Sequence, residues 1–416
     1  MKLIQNLNNF KLLNLELFFI SLMILSLPSF EAPKNIFLIL FVLVALFRQF
    51  HSYPLKIWRN WDWIFVSIIV SGFLSTIFAG IQNGDEWKGF RVLLTFICVG
   101  WLLSRADYTK KQIGWIFLLL IVGTLPPLIF GLWEVFFLHS KDSLQLHSVG
   151  HVNHSAIYLS IIFGASIGWS LALWSSASNF QKKLLFIMPI FFYLSIIISE
   201  SRAAFFVATL IAFIILFLIK NKKIILISAI SFLALLVAMS IFNTPILIKQ
   251  SKYIASHNIL SGRVAIWNTT IEAARFNPLL GIGIDNRANV TKADVKKSIE
   301  SREETFEENK YNFSFKHAHS FYLTQIAERG VIGSFVTLTF ILFWLKELIY
   351  SRRSLENSPQ DLYLWCGSFS AWLATFGIGF VNTTFHHEHG ILACLFLGLH
   401  LAYLRKNKQA LRDHFF

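Results

Sequence analysis

Ile116-Phe117-Leu118-Leu119-Leu120-Ile121-Val122 sits inside a run from Ile113 to Leu138 whose one charged residue is Glu134. A helix needs about 20 apolar residues to cross hydrocarbon, whereas a helix on a soluble core keeps a polar face. This run is long enough to span and has no such face. Outward from it, the same pattern recurs at 12–29, 35–50, 61–80, 89–104, 156–175, 184–200, 203–219, 224–242, 320–346, 362–383 and 390–404. Of 416 residues, 55% are apolar and 14% charged. Hydrocarbon offers no partner to an open strand edge, so the runs must be helical. The expected fold is an all-α polytopic integral membrane protein with about twelve transmembrane helices. The first run has no small-residue cleavage site after a short apolar core and reads as a retained anchor.

Lys and Arg alternate between loops. Seven loops and tails, from Lys2 and Lys11 to Arg405, Lys406, Lys408 and Arg412, hold 20 of them, and the short loops opposite hold Lys34, Lys88, Arg91, Lys141 and Arg202. The positive-inside rule puts the richer side, with both termini, in the cytoplasm. The segment from Asn243 to His317 carries eleven Lys and Arg yet falls on the outer side, and loops this long escape the rule. Apolar residues at helical spacing from Val264 to Ala274 and the breakers Pro278, Gly281 and Gly283 predict a small folded outer cap, with Glu300 to Glu308 on its solvated surface. The expected division is 1–242 with transmembrane helices one to nine, 243–317 as a periplasmic loop domain, and 318–416 with the last three helices and a short cytoplasmic tail.

The formal charge of +14 would point to nucleic acid in a soluble protein. Here it lines the inner leaflet and the cap, so the expected partners are anionic membrane lipids and not nucleic acid. Cys98, Cys366 and Cys394 all fall inside spans and read as packing residues.

Ten of thirteen histidines fall on the outer side: His139, His147, His151, His154, His257, His317, His319, His386, His387 and His389. Most interfacial histidines are side chains with wet tips, but His317-Ala318-His319-Ser320 ends the polar loop and opens a span, placing two titratable groups at the membrane rim. Ser201-Arg202-Ala203 puts a guanidinium in a two-residue break between apolar runs. That is the place of a snorkelling arginine or of an anion clamp, which binds phosphate through paired hydrogen bonds. Arg263 follows a Ser-Gly turn at the start of the cap's first helix, where side chain and free backbone amides both favour phosphate; its plain alternative is a first-turn arginine in water.

These elements together resemble the bacterial O-antigen ligases and the related polymerases of lipid-linked sugars. Ser201-Arg202-Ala203, Gly262-Arg263 followed by Trp267, His317-Ala318-His319, and Glu328-Arg329-Gly330-Val331-Ile332-Gly333 are similar to the family's patterns. Ser320 departs from them, because the family usually has Asn there. The resemblance implies a GT-C-like glycosyltransferase of the bacterial inner membrane, with its active site facing the periplasm. It would transfer preassembled O-antigen from undecaprenyl pyrophosphate to a sugar hydroxyl of the lipid A-core, inverting the anomeric carbon without metal or other cofactor. In that scheme His319 is the catalytic base, and Arg202 and Arg263 hold the pyrophosphate. His317, Tyr322 and, in Gly150-His151-Val152-Asn153-His154-Ser155, Asn153 and His154 contact substrate. His386-His387-Glu388-His389 matches no zinc signature. A polymerase joining repeat units, or a protein O-oligosaccharyltransferase, would share the clamp and differ in acceptor. A lipid-linked oligosaccharide flippase, the reading from another class, should carry charges at mid-membrane and two similar halves, and the sequence has neither.

Overall fold

The computed structural model describes residues 2–51, 57–218, 226, 233, 237, 240–241, 245–255, 262–352 and 361–413. Among them there is no strand. The α-helices whose bounds fall among the described residues are, in order, α1 Lys2–Ser26, α2 Glu31–His51, α3 Asn60–Ile77, α4 Asp85–Ser104, α5 Lys110–Val122, α6 Leu125–Phe136, α7 Val152–Leu173, α8 Asn179–Ile198, α9 Arg202–Leu218, α10 Pro245–Ala255, α11 Arg263–Ala274, α12 Lys292–Glu300, α13 Phe321–Arg352, α14 Leu362–Ile378 and α15 His387–Asp413.

Among the described residues, seven helical segments are long and apolar enough to cross a membrane: α2, α3, α4, α5 with α6, α7, α8 and α13; α9 and α14 are shorter apolar helices. The chain is a multi-pass membrane protein. Of the twelve expected spans, 12–29 falls largely in α1 and 390–404 in α15, and 224–242 lies almost wholly outside the described residues. The run from Ile113 to Leu138 is broken at Gly123-Thr124, and Pro126 and Pro127 stand in the first turn of α6, where a missing N–H costs no helical hydrogen bond.

Helix α7 is buried nearly all round, which fits a helix apolar on every face at the centre of a bundle. It packs along α14, with α8 and α9 beside it; α15 lies along α4, α13 along α3, and α1 along α2. Cys366 and Cys394 are buried and Cys98 half-buried, all three as free thiols. Two acidic groups inside the bundle are paired with arginines: Glu16 takes Arg48 Nε at 2.6 Å and the Tyr108 hydroxyl at 2.7 Å, and Asp62 takes Arg105 at 2.7 Å and the Trp101 indole at 2.8 Å.

The segment after α10 is folded. Ala273, Ile282, Val290, Val295 and Ile299 form a small core of their own, covered by Phe276, Phe306, Tyr311 and Phe313. Glu272 holds α11 to α12 by accepting from Ser298 Oγ at 2.6 Å and from Arg302 at 2.7 and 3.1 Å. In the acidic run, Glu304 pairs with Arg302, Glu307 with Lys310 and Glu308 with Lys292, all at the surface.

The cap is bolted to the bundle by backbone. Ile282 N donates to Ala327 O at 2.9 Å, Gly283 N to Glu328 O at 3.0 Å and Val331 N to Pro278 O at 2.8 Å, while Gly80 and Ile81 donate to the Gly281 and Ile282 carbonyls at 3.1 Å. This approach needs two glycines. A Cβ on Gly281 (φ 80°) would meet the Glu328 carbonyl carbon at 2.3 Å, and one on Gly330 (φ 62°) would meet that of Leu279 at 2.4 Å. Gly330 is also where α13 bends, so one residue kinks the span and admits the cap.

Candidate functional site

His319 is the last loop residue but one before α13 and has φ 49°, a left-handed conformation that is rare for a side chain of this size. Phe385 (φ 63°) and His387 (φ 49°), in the loop opening α15, share that conformation. Strained backbone concentrated like this marks functional clefts. The adjacent Phe321 N donates to Gly379 O at 2.7 Å, which ties the His-x-His element to the end of α14.

The loop that delivers His317 and His319 is held by Arg287, which is 1% exposed. Its guanidinium donates to Thr270 Oγ1 at 3.0 Å, Asn312 O at 3.0 Å and Phe315 O at 3.3 Å. Burial lowers its pKa to about 10, which still leaves it charged near neutrality.

The His319 imidazole sits in reach of the Asn382 side-chain amide. Its pKa is lowered to about 4, first by burial and then by the positive charge of Arg263; the Asn382 contact opposes the shift, and His317 and His151 add to it. At neutral pH the ring is therefore uncharged, with a lone pair to accept a proton. Arg263 begins α11 directly after Gly262 (φ 74°), as expected, and is half-buried. Ser320 precedes α13 and offers Oγ to Leu323 N at 3.5 Å, a long contact, so Asn382 and not residue 320 supplies the amide beside the histidine.

Arg202 opens α9, and the neighbouring Ser201 hydroxyl donates to Asn153 Oδ1 at 3.1 Å. The Ser-Arg-Ala step and the Gly150–Ser155 stretch thus meet, although 48 residues separate them. His151 caps α7 by accepting from Asn153 N at 3.3 Å. Tyr322 uses its hydroxyl within the fold, donating to Phe376 O at 2.9 Å.

His154 turns toward other histidines. Its ring centroid lies 4.7 Å from that of His386, 5.2 Å from His389, 6.3 Å from His387 and 6.0 Å from His151, and His317 stacks on His386 at 5.7 Å. Burial, opposed by Asp285, lowers the pKa of His317. Beside this cluster Lys34 pairs with Glu388 inside the protein. His139 and His147 are exposed and stand apart, and His257 lies outside the described residues.

A partly open cleft with a cavity volume of about 100 Å³ is lined by His317, His386 and His387. Asp285, Gln325, Glu328 and Thr383 give it polar groups, and Ile68, Leu93, Phe96 and Phe340 give it an apolar wall. It offers a charged group and an apolar tail adjoining surfaces. Asn382, Arg287, Glu328 and Asp285 were not among the sequence candidates. The polar run Asn382-Thr383-Thr384 at the end of an apolar span was the available signal for the first, and Glu328 stood in the pattern at 328–333 without a role assigned to it, while Arg287 and Asp285 are lone charges inside the cap and gave none.

No curated protein matches the chain. Residues 184–338 match the family model described as O-Antigen ligase, a stretch that runs from α8 to α13 and includes Arg202, Arg263, His317 and His319. That stretch of the chain is thus similar to the O-antigen ligases, while Asn153, His154, Asn382 and His386 to His389 lie outside the matched residues.

Proposed function

We propose that the protein is an O-antigen ligase of the bacterial inner membrane, which transfers preassembled glycan from undecaprenyl pyrophosphate to a sugar hydroxyl of the lipid A-core on the periplasmic face. The observation that carries this reading is the neutral His319 beside the fixed cation Arg263. A reaction that expels a diphosphate while deprotonating a hydroxyl needs an uncharged base and a permanent positive charge side by side.

The acceptor oxygen attacks the anomeric carbon as the bond from that carbon to the phosphate oxygen breaks. The electron pair leaves on undecaprenyl pyrophosphate, the hydroxyl proton passes to His319, and configuration inverts. Arg202 and Arg263 take the diphosphate through paired charge-assisted hydrogen bonds. Binding of that anion cancels the effect of Arg263 on His319, so the base strengthens when substrate arrives. His317, Asn153, His154 and Tyr322 surround the substrates, and no bound metal is required for these steps. The cap, about 243–317, brings Arg263 and His317 to the bundle, 1–242 and 318–416, which carries His319 at its junction with the cap.

A strain deleted for this gene tests the reading by the banding of its lipopolysaccharide, with the undecaprenyl-linked pool assayed alongside. A ligase leaves long polymer on undecaprenyl pyrophosphate and none on lipid A-core. Lipid A-core capped by a single repeat unit would instead mean a polymerase.

A further inference from the structure

His386, the residue before α15, His389 in the first turn of α15 and His154 in the first turn of α7 place their ligand nitrogens all within 4.8 Å of one another. Three imidazoles gathered this closely at the protein interior repel one another when protonated and gain little from one another when neutral, so the cluster needs another reason to exist. His389 sharpens the point. It is 1% exposed, and although the Thr383 carbonyl lies near, neither ring nitrogen makes a well-formed hydrogen bond. A buried polar group left in this state bears the cost of its lost hydration with nothing in return.

His386 has the arrangement of a ligating histidine. Its Nε2 meets the Thr383 carbonyl at 3.2 Å, which fixes the tautomer with Nδ1 as the free lone pair. Glu388 between the two ligand positions is taken by Lys34 and so stays out of the cluster. That ion pair anchors the first turn of α15 against α2, setting the two histidines in place.

We propose that His154, His386 and His389 bind one divalent late first-row transition metal ion, of which zinc is the best match, and that the ion pins the start of α7 to the start of α15. All-imidazole ligation suits zinc, cobalt, nickel or copper and disfavours magnesium and calcium, which take oxygen. Three histidines with an open fourth position is a set that zinc accepts at about 2.0–2.1 Å. Tetrahedral geometry at that length puts the nitrogens about 3.3 Å apart, so the rings must close by about 1.5 Å, within the reach of side-chain rotation. The proton transfer and the diphosphate clamp do not run through the ion, since His319, Arg202 and Arg263 lie outside the set; of the residues placed around the substrates only His154 is shared, and the ion acts as a cross-link.

The test is a titration of tag-free, chelator-stripped protein in detergent with Co²⁺, followed by its visible ligand-field absorption, and then displacement by Zn²⁺. One equivalent of Co²⁺ is expected to give the intense band of a four- or five-coordinate site and to be displaced by one equivalent of Zn²⁺. H386A and H389A should each weaken binding by more than about 100-fold, since even outer partners of ligands cost 10–100-fold. H147A, at an exposed histidine outside the cluster, should bind as the unaltered protein does. Unaltered protein that takes up no Co²⁺ overturns the assignment whatever the variants do, as does full affinity in monodisperse H386A and H389A proteins.

Discussion

The imidazole of His319 lies against the side-chain amide of Asn382, so a residue after α14 provides what position 320, a serine here, does not. Asn382 is 4% exposed, and its neighbour Thr384 is fixed by donating to Thr375 O at 2.6 Å. The amide is thus a rigid orienter of the base.

Asn382→Leu, close in volume and unable to hydrogen bond, should lower kcat about fivefold or more, the value of roughly 1 kcal/mol of hydrogen bonding. KM for the lipid-linked donor should stay near its original value, because Asn382 acts through His319. A rise in donor KM with kcat intact would place Asn382 in substrate binding instead.

Arg263→Gln should weaken donor binding by roughly 10–100-fold, corresponding to loss of a charge-assisted hydrogen bond of about 1.5–3 kcal/mol. It also removes a charge that depresses the His319 pKa, so the acid limb of kcat/KM, expected near pH 4 in the free enzyme, should move upward. An acid limb that stays in place would separate the two residues.

Folding stability should fall on acidification. His319 drops from 6.5 to about 4 on folding, so between those values the unfolded chain holds a proton that the folded chain refuses. The contribution is complete above about pH 6.5 and is lost as pH falls toward 4. Thermal unfolding in detergent at pH 7.5 and pH 5 measures it, and the difference should shrink in His319→Gln.

Gly281→Ala and Gly330→Ala should each uncouple the cap. Left-handed backbone costs a side chain about 1–3 kcal/mol, and the new Cβ meets a backbone atom of the opposing strand of chain. Faster proteolysis at the cap, with α1 to α9 still protected, is the expected signature; protection equal to that of the unaltered protein would show that the contact relaxes freely.

The helical fold was legible because apolar runs and their breakers are local, and hydrocarbon admits only helices. The precise spans were less so: Gly123-Thr124 splits one run, and Gly330 bends another without ending it. Arg202, Arg263 and His319 stood out as polar residues at the ends of apolar or helical segments. Asn382 and Arg287 did not, since their roles come from contacts across more than 60 residues of chain in one case and from burial in the cap in the other. The histidines of the cluster were visible as an outer-side bias, as the run His386 to His389 and as His154 in its own polar element, but not as one group. Nothing local told His154 that its neighbours would be His386 and His389.

The most direct measurement is transfer by purified protein in detergent from undecaprenyl-pyrophosphate-linked glycan to lipid A-core, for the unaltered chain and for His319→Gln. The account predicts glycan-bearing lipid A-core with equimolar undecaprenyl pyrophosphate from the first, and a rate roughly 10²–10⁴-fold lower from the second with donor binding retained. Transfer by His319→Gln at the unaltered rate would contradict it.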